Sequence, residues 1–202
     1  MLNCHNHYVA ATNIISKNKC IEIINWGLKH GKREVAKTFA DGGPDNKSED
    51  FRGAAGIFWI RKQEYSEIFL NAVKDINENL WKLNLTFCEP LQLSVYDPGH
   101  FYHWHVDSFI KPEDPFNLGT KTVRKLSFSV SLNDKNLNYK GGDLQIFNRI
   151  THENKVDFAT IKELHSAGSI AVFPSAKDHR VTKITEGRRY SLVGWVHGPP
   201  FV

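Results

Sequence analysis

The chain has 202 residues, 41% hydrophobic and 24% charged, the balance of an ordinary soluble globule that can bury a core of its own. Its net charge of +4 is modest, and the positive residues are scattered apart from Lys177, Arg180, Lys183, Arg188 and Arg189. That pattern reads as a solvated face with one functional arginine, and it argues against a nucleic-acid groove.

In chain order, the N-terminal segment Met1 to His7 lacks a charged region followed by an apolar run, so it does not read as a signal peptide. Three widely spaced cysteines (Cys4, Cys20 and Cys88) imply no disulfide framework. No apolar stretch is long enough to span a bilayer, and we expect a cytoplasmic protein without a membrane partner. Cys4, His5 and His7 hint at a terminal metal cluster but read as a frayed end. Ser16 is an N-cap for a helix over 16–29, with Ile21, Ile24, Trp26 and Leu28 as apolar positions and Gly31 as its stop. Residues 41–50 are polar and turn-rich, hence a loop. A strand is expected over 54–60 and a second helix over 65–81, where Ile68, Phe69, Ala72, Val73, Ile76 and Leu80 recur at helical spacing.

The character then changes to short strands between turns, expected over 91–96, 102–106, 124–132, 143–147, 169–173 and 191–197. Asp97-Pro98-Gly99 and Gly141-Gly142 are turn punctuation. Gly141-Gly142 lacks the following Lys-Ser/Thr and helix of a phosphate cradle, so it reads as a turn alone. Helices first and six or more strands after argue an α+β chain, a sandwich or barrel buttressed by N-terminal helices. Nothing divides it into two domains, so 1–202 reads as one, with helical support over about 1–85 and the strand-built part over about 86–202.

Chemistry concentrates in Tyr96-Asp97-Pro98-Gly99-His100-Phe101-Tyr102-His103-Trp104-His105-Val106-Asp107. Alternate side chains of a strand share a face, so His105 and Asp107 can meet one metal ion. Two histidines and a carboxylate on one face are the ligand set of non-haem Fe(II) oxygenases, and the absence of thiolate disfavours structural zinc. A third ligand must come from a distant strand. His179 lies 72 residues beyond Asp107 (179 − 107), just past the strand ending at Phe173-Pro174. Arg189 follows by ten more (189 − 179) and can grip the distal carboxylate of 2-oxoglutarate with two parallel hydrogen bonds. His103 shares the face of His105 but reads as pocket lining or a solvated residue. His152 and His165 read as surface residues, and Cys88 as inert core.

The ordered motifs resemble the prolyl 4-hydroxylase-type branch of the 2-oxoglutarate/Fe(II)-dependent dioxygenases, including its small bacterial and phage members. The resemblance covers roughly 51–197. Tyr-x-x-Gly-x-x-Tyr-x-x-His-x-Asp is matched by Tyr96, Gly99, Tyr102, His105 and Asp107. Arg124-Lys125-Leu126-Ser127 through Leu132-Asn133, Gly141-Gly142-Asp143-Leu144 and Ala167-Gly168-Ser169 through Phe173-Pro174-Ser175 follow in order. His179-Arg180-Val181, Gly187, Arg189 and Trp195 complete the series.

The resemblance implies a double-stranded β-helix, a jelly-roll core with the iron in its mouth. It implies Fe(II), 2-oxoglutarate as cosubstrate and ascorbate as reductant. It places Tyr96 and Trp195 in the cosubstrate pocket and, by spacing, favours Arg189 over Arg188, whose side chain points to the opposite strand face. Ser131 departs from the pattern, because some relatives carry a tyrosine there that helps bind the far carboxylate. The implied reaction is hydroxylation of a prolyl or other amino-acyl side chain of a peptide or protein, with release of succinate and CO2. Loops 41–52 and 109–121 are expected to wall the substrate groove. Two alternatives stand beside this reading. One is oxidative demethylation of alkylated nucleic acid, disfavoured because no second arginine follows Arg189 before Trp195. The other is a jelly-roll binding protein without catalysis, against which the intact set His105, Asp107, His179 and Arg189 speaks.

Overall fold

The structure, a computed structural model, describes residues 2–4, 7–35, 56–108, 121–151 and 153–200. Helix α1 (Lys17–His30) begins where its capping residue predicts: the Ser16 hydroxyl accepts from the Lys19 N–H at 3.2 Å. It ends at Gly31, whose N–H donates to the Gly27 carbonyl. Its buried face is Cys20, Ile23 and Gly27, while Ile21 and Leu28 are exposed. Gly27 is buried because a Cβ there would stand 2.6 Å from Leu93 and 2.9 Å from Ile60, so its missing side chain lets the helix lie close on the sheet. Helix α2 (Gln63–Asn79) buries Tyr65, Phe69, Val73 and Ile76 on one stripe and leaves Leu80 exposed.

The strands are β1 (Leu2–Cys4), β2 (Val9–Ala11), β3 (Lys32–Val35), β4 (Gly56–Ile60), β5 (Leu91–Tyr96), β6 (Tyr102–His105) and β7 (Val123–Ser131). They continue as β8 (Tyr139–Gly141), β9 (Leu144–Ile150), β10 (Val156–Thr160), β11 (Ile170–Pro174), β12 (His179–Val181), β13 (Ile184–Gly187) and β14 (Arg189–Gly198). A 3-10 turn spans Lys162–His165. The main sheet has the order β1-β2-β11-β7-β14-β5-β4-β3, and a smaller one β10-β9-β12-β6. A third pair joins β13 to β8. The paired strands of these sheets run antiparallel, which with the two helices gives the expected jelly-roll core.

Strand alternation divides the main sheet into two faces. Leu91, Leu93 and Val95 of β5 and Leu126, Phe128 and Val130 of β7 pack with α1 and α2 in one apolar cluster. The opposite face carries Tyr96, Ala171 and Phe173, which meet Leu144, Ile146 and Val181 of the smaller sheet in a second. Between the sheets the main-sheet lining is largely polar: Gln92, Ser94, Ser127, Ser129, Ser131, Arg189 and Ser191 are all buried.

The first 85 residues are not purely helical, since β1 to β4 extend both edges of the main sheet. Strand β5 spans its expected residues. Short strands β8, β12 and β13, of three or four residues each, were not expected. Loop 41–52 and all but residue 121 of loop 109–121 lie outside the described residues, as do His5 and His152.

Candidate metal and cosubstrate site

The smaller sheet sets His105 directly opposite His179 in register. Each imidazole is held in the same way. His105 Nδ1 lies 2.8 Å from the His103 carbonyl, and His179 Nδ1 lies 2.9 Å from the Lys177 carbonyl. A carbonyl only accepts, so Nδ1 carries the proton in both rings and Nε2 presents a free lone pair. Tyr102 stacks on His105 at 3.6 Å and Phe173 tilts against His179 at 4.7 Å, fixing the ring planes.

Asp107 lies beyond the end of β6, and its N–H donates to the Ser175 carbonyl at 2.9 Å. Its carboxylate stands 3.7 Å from His105 Nε2 and 3.5 Å from His179 Nε2. Burial alone would raise this carboxyl. The facing His179 and His105, whenever they carry a second proton, together with the Ser127 hydroxyl and Arg124, outweigh it and hold Asp107 below the ordinary carboxylate value. One oxygen, Oδ2, is buried with no hydrogen-bond partner among the described residues. Ligand atoms of His105, Asp107 and His179 fall within 4.8 Å of one another, the one such His/Cys/Asp/Glu grouping among the described residues. Two Nε2 lone pairs beside the two oxygens of the Asp107 carboxylate fit a divalent ion of the iron type.

On the inner face of the main sheet, Arg189 pairs with Tyr96, and Ser191, Val193 and Trp195 follow on the same side of β14. Arg189 is 2% exposed. Its Nη1 donates to Ser191 Oγ at 3.0 Å, and its guanidinium sits 5.5 Å from the Tyr96 ring centre. Among the described residues no carboxylate lies within ion-pair reach of it. A buried cation that meets a hydroxyl and a ring, with no carboxylate among the described residues, fits an anionic ligand such as the distal carboxylate of 2-oxoglutarate. Trp195, six residues along, pairs with Ser127 and so lies toward the Asp107 end. Its Nε1 is buried with no hydrogen-bond partner among the described residues.

The structure therefore brings His105, Asp107 and His179 together, and sets Tyr96 beside Arg189. His103 is exposed, its Nδ1 accepting from the Trp104 N–H, and it stands outside the metal grouping. Arg188 is a half-exposed surface charge paired with Asp97. His165 is not simply a surface residue: it is half-buried and bonds Asp143 at 2.8 Å. Two residues gain a place that the sequence did not announce. Gly142 is more than a turn, because a Cβ there would stand 2.9 Å from the Arg189 Cδ. Arg124 reaches the Asp107 carbonyl and covers the Trp195 ring at 4.2 Å.

The 2OG-Fe(II) oxygenase superfamily model matches residues 91–197, just over half of the chain and the whole of this site. The chain belongs to that superfamily. Membership implies Fe(II) and 2-oxoglutarate as cofactors. A PKHD-type hydroxylase of Hyphomonas neptunium is 33% identical over 112 residues, covering 55% of this chain and 44% of the relative. The chain thus spans less than half the length of that relative. The fold is similar to a Pseudomonas putida prolyl-4-hydroxylase (TM-score 0.63, 20% identity, 95% of this chain and 92% of that one). It is also similar to a Trichoplax adhaerens prolyl hydroxylase in complex with a hypoxia inducible factor peptide fragment (TM-score 0.68, 16% identity, 95% and 83%). At these identities the likeness establishes the jelly roll and nothing finer.

Proposed function

We propose that this chain is an Fe(II)- and 2-oxoglutarate-dependent hydroxylase acting on a prolyl or other amino-acyl side chain of a peptide or protein. His105, Asp107 and His179 are its metal ligands. Arg189, with Ser191 and Tyr96 beside it, receives the distal carboxylate of 2-oxoglutarate, and Trp195 lines the pocket toward the metal. The observation that carries this reading is the pairing of a buried guanidinium that has no carboxylate among the described residues with a three-ligand cluster whose carboxylate has one oxygen without a hydrogen-bond partner among them.

When bound, the iron and 2-oxoglutarate would activate dioxygen, which is the oxidant: one of its oxygen atoms ends in succinate, released with CO2, and the other in the hydroxylated substrate. The chain's own work is placement. Nδ1–H anchors hold both imidazoles in the coordinating tautomer. Asp107 is kept ionised, and the stacked Tyr102 and Phe173 hold the histidine rings in place. The hydroxylase names of the sequence relatives and the prolyl hydroxylases among the structural neighbours support a peptide or protein substrate. Ascorbate is the proposed reductant and the cytoplasm the proposed compartment. Among the described residues no helix is long and apolar enough to cross a membrane.

Incubation with Fe(II), 2-oxoglutarate and dioxygen should yield succinate, and His105→Ala should yield none. Equal succinate from the two proteins would overturn the reading.

A further inference from the structure

Asp107 is the least anchored of the three ligands. His105 and His179 sit in the ladder of the smaller sheet, whereas Asp107 lies past the end of β6. Its backbone is held from elsewhere: its N–H by the Ser175 carbonyl, its carbonyl by Arg124 Nη1 at 3.2 Å. What holds Arg124 therefore bears on where the carboxylate stands.

Arg124 is gripped by Glu89, a buried carboxylate just before β5. Nε donates to Oε1 at 2.5 Å and Nη2 to Oε2 at 2.8 Å, a two-pronged pair that fixes the guanidinium plane. His197, near the end of β14, donates from Nε2 to the same Oε1 at 2.6 Å. Its Nδ1 meets the Thr122 hydroxyl at 2.9 Å, and Phe87 stacks on its ring at 4.7 Å. The guanidinium face covers Trp195. A charged assembly whose Glu89 and His197 are buried and whose Arg124 is partly buried serves either as a structural pin or to place its far end. The far end here is a metal ligand and the indole beside it.

We infer that Glu89, Arg124 and His197 are positioning residues for Asp107, so that metal affinity depends on Glu89, whose own side chain touches none of the three ligands. This rests on the reading of His105, Asp107 and His179 as the metal site. Glu89→Gln keeps the shape and removes the charge that orients Arg124. Arg124→Lys keeps the positive charge and removes the fork. Groups that orient a ligand from outside are worth roughly tenfold or more in metal affinity.

The test is a calorimetric titration of the chelator-treated full chain with Mn2+ alone, alongside thermal melts. Asp143→Asn is the control, since it breaks the half-buried Lys135–Asp143–His165 cluster, a charged pin apart from these residues. All three variants should melt earlier, but only Glu89→Gln and Arg124→Lys should bind Mn2+ about tenfold more weakly. If Glu89→Gln fails to fold, Arg124→Lys carries the same expectation. Wild-type Mn2+ affinity in these variants, or an equal loss in Asp143→Asn, overturns the inference alone. A wild-type chain that takes up no Mn2+ overturns the metal-site reading, and the inference with it.

Discussion

Arg189→Met separates the roles of the buried guanidinium in binding and in stability. The methionine keeps an unbranched stem against Gly142 and discards the charge. In the wild-type chain that charge is 2% exposed and, among the described residues, faces the Ser191 hydroxyl and the Tyr96 ring with no carboxylate in ion-pair reach. Breaking a buried pair by removing one partner costs about 3–5 kcal/mol. At 1.4 kcal/mol per decade this predicts roughly a hundred- to a few-thousand-fold weaker binding of 2-oxoglutarate. The ligand-free chain should respond in the opposite sense, because an unpaired buried cation is a liability that methionine removes. Titration of 2-oxoglutarate into the Mn2+-loaded protein reads the first effect, and melting of the metal-free protein reads the second. We expect lost affinity with an unchanged or higher melting temperature. Affinity within about threefold of wild type, a difference under 1 kcal/mol, would refute the assignment of Arg189.

Gly142→Ala should lower stability by about 1–2 kcal/mol, since position 142 has φ +65° and its new methyl would crowd Ile184 and the Arg189 stem. The same variant should weaken 2-oxoglutarate binding, read by the same titration. Glu89 predicts an acid-side dependence. Burial alone would raise its carboxyl, but hydrogen bonds and charge from His197 and Arg124 hold it below its ordinary 4.5. A depressed folded value means stability fully present above the ordinary value and lost as pH falls through the folded one. The stability advantage of wild type over Glu89→Gln in denaturant melts should therefore shrink with falling pH, and a constant difference would contradict the pairing. Burial pushes the Cys20 thiol up to about 11 and the Cys88 thiol up to about 12. Both should resist alkylation at neutral pH until the chain unfolds, as peptide mass spectrometry can show.

The grouping of His105, Asp107 and His179 was legible because its geometry is local or carried by ordered motifs. His105 and Asp107 stand two apart at a strand end, and β5 alternates apolar Leu91, Leu93 and Val95 with polar Gln92 and Ser94 before the turn at Asp97-Pro98-Gly99. Helix α1 misled at its face: Ile21 and Leu28 are apolar yet exposed, and a glycine lies against the sheet because contact distance outranks hydrophobicity there. Strands β8, β12 and β13 are too short to display a period. Arg124 stood inside a recognised motif, but its work depends on Glu89, 35 residues away, and on His197 across two paired strands. Gly142 read as a turn, because its closeness to Arg189 exists only once the β8–β13 pair brings the two segments together.

Anaerobic equilibrium dialysis of Fe(II) against the wild-type chain and against His105→Ala, Asp107→Ala and His179→Ala tests the central claim most directly. We predict one iron bound per wild-type chain and loss of that iron in each of the three variants. Full wild-type occupancy and affinity in any one of them would contradict the account.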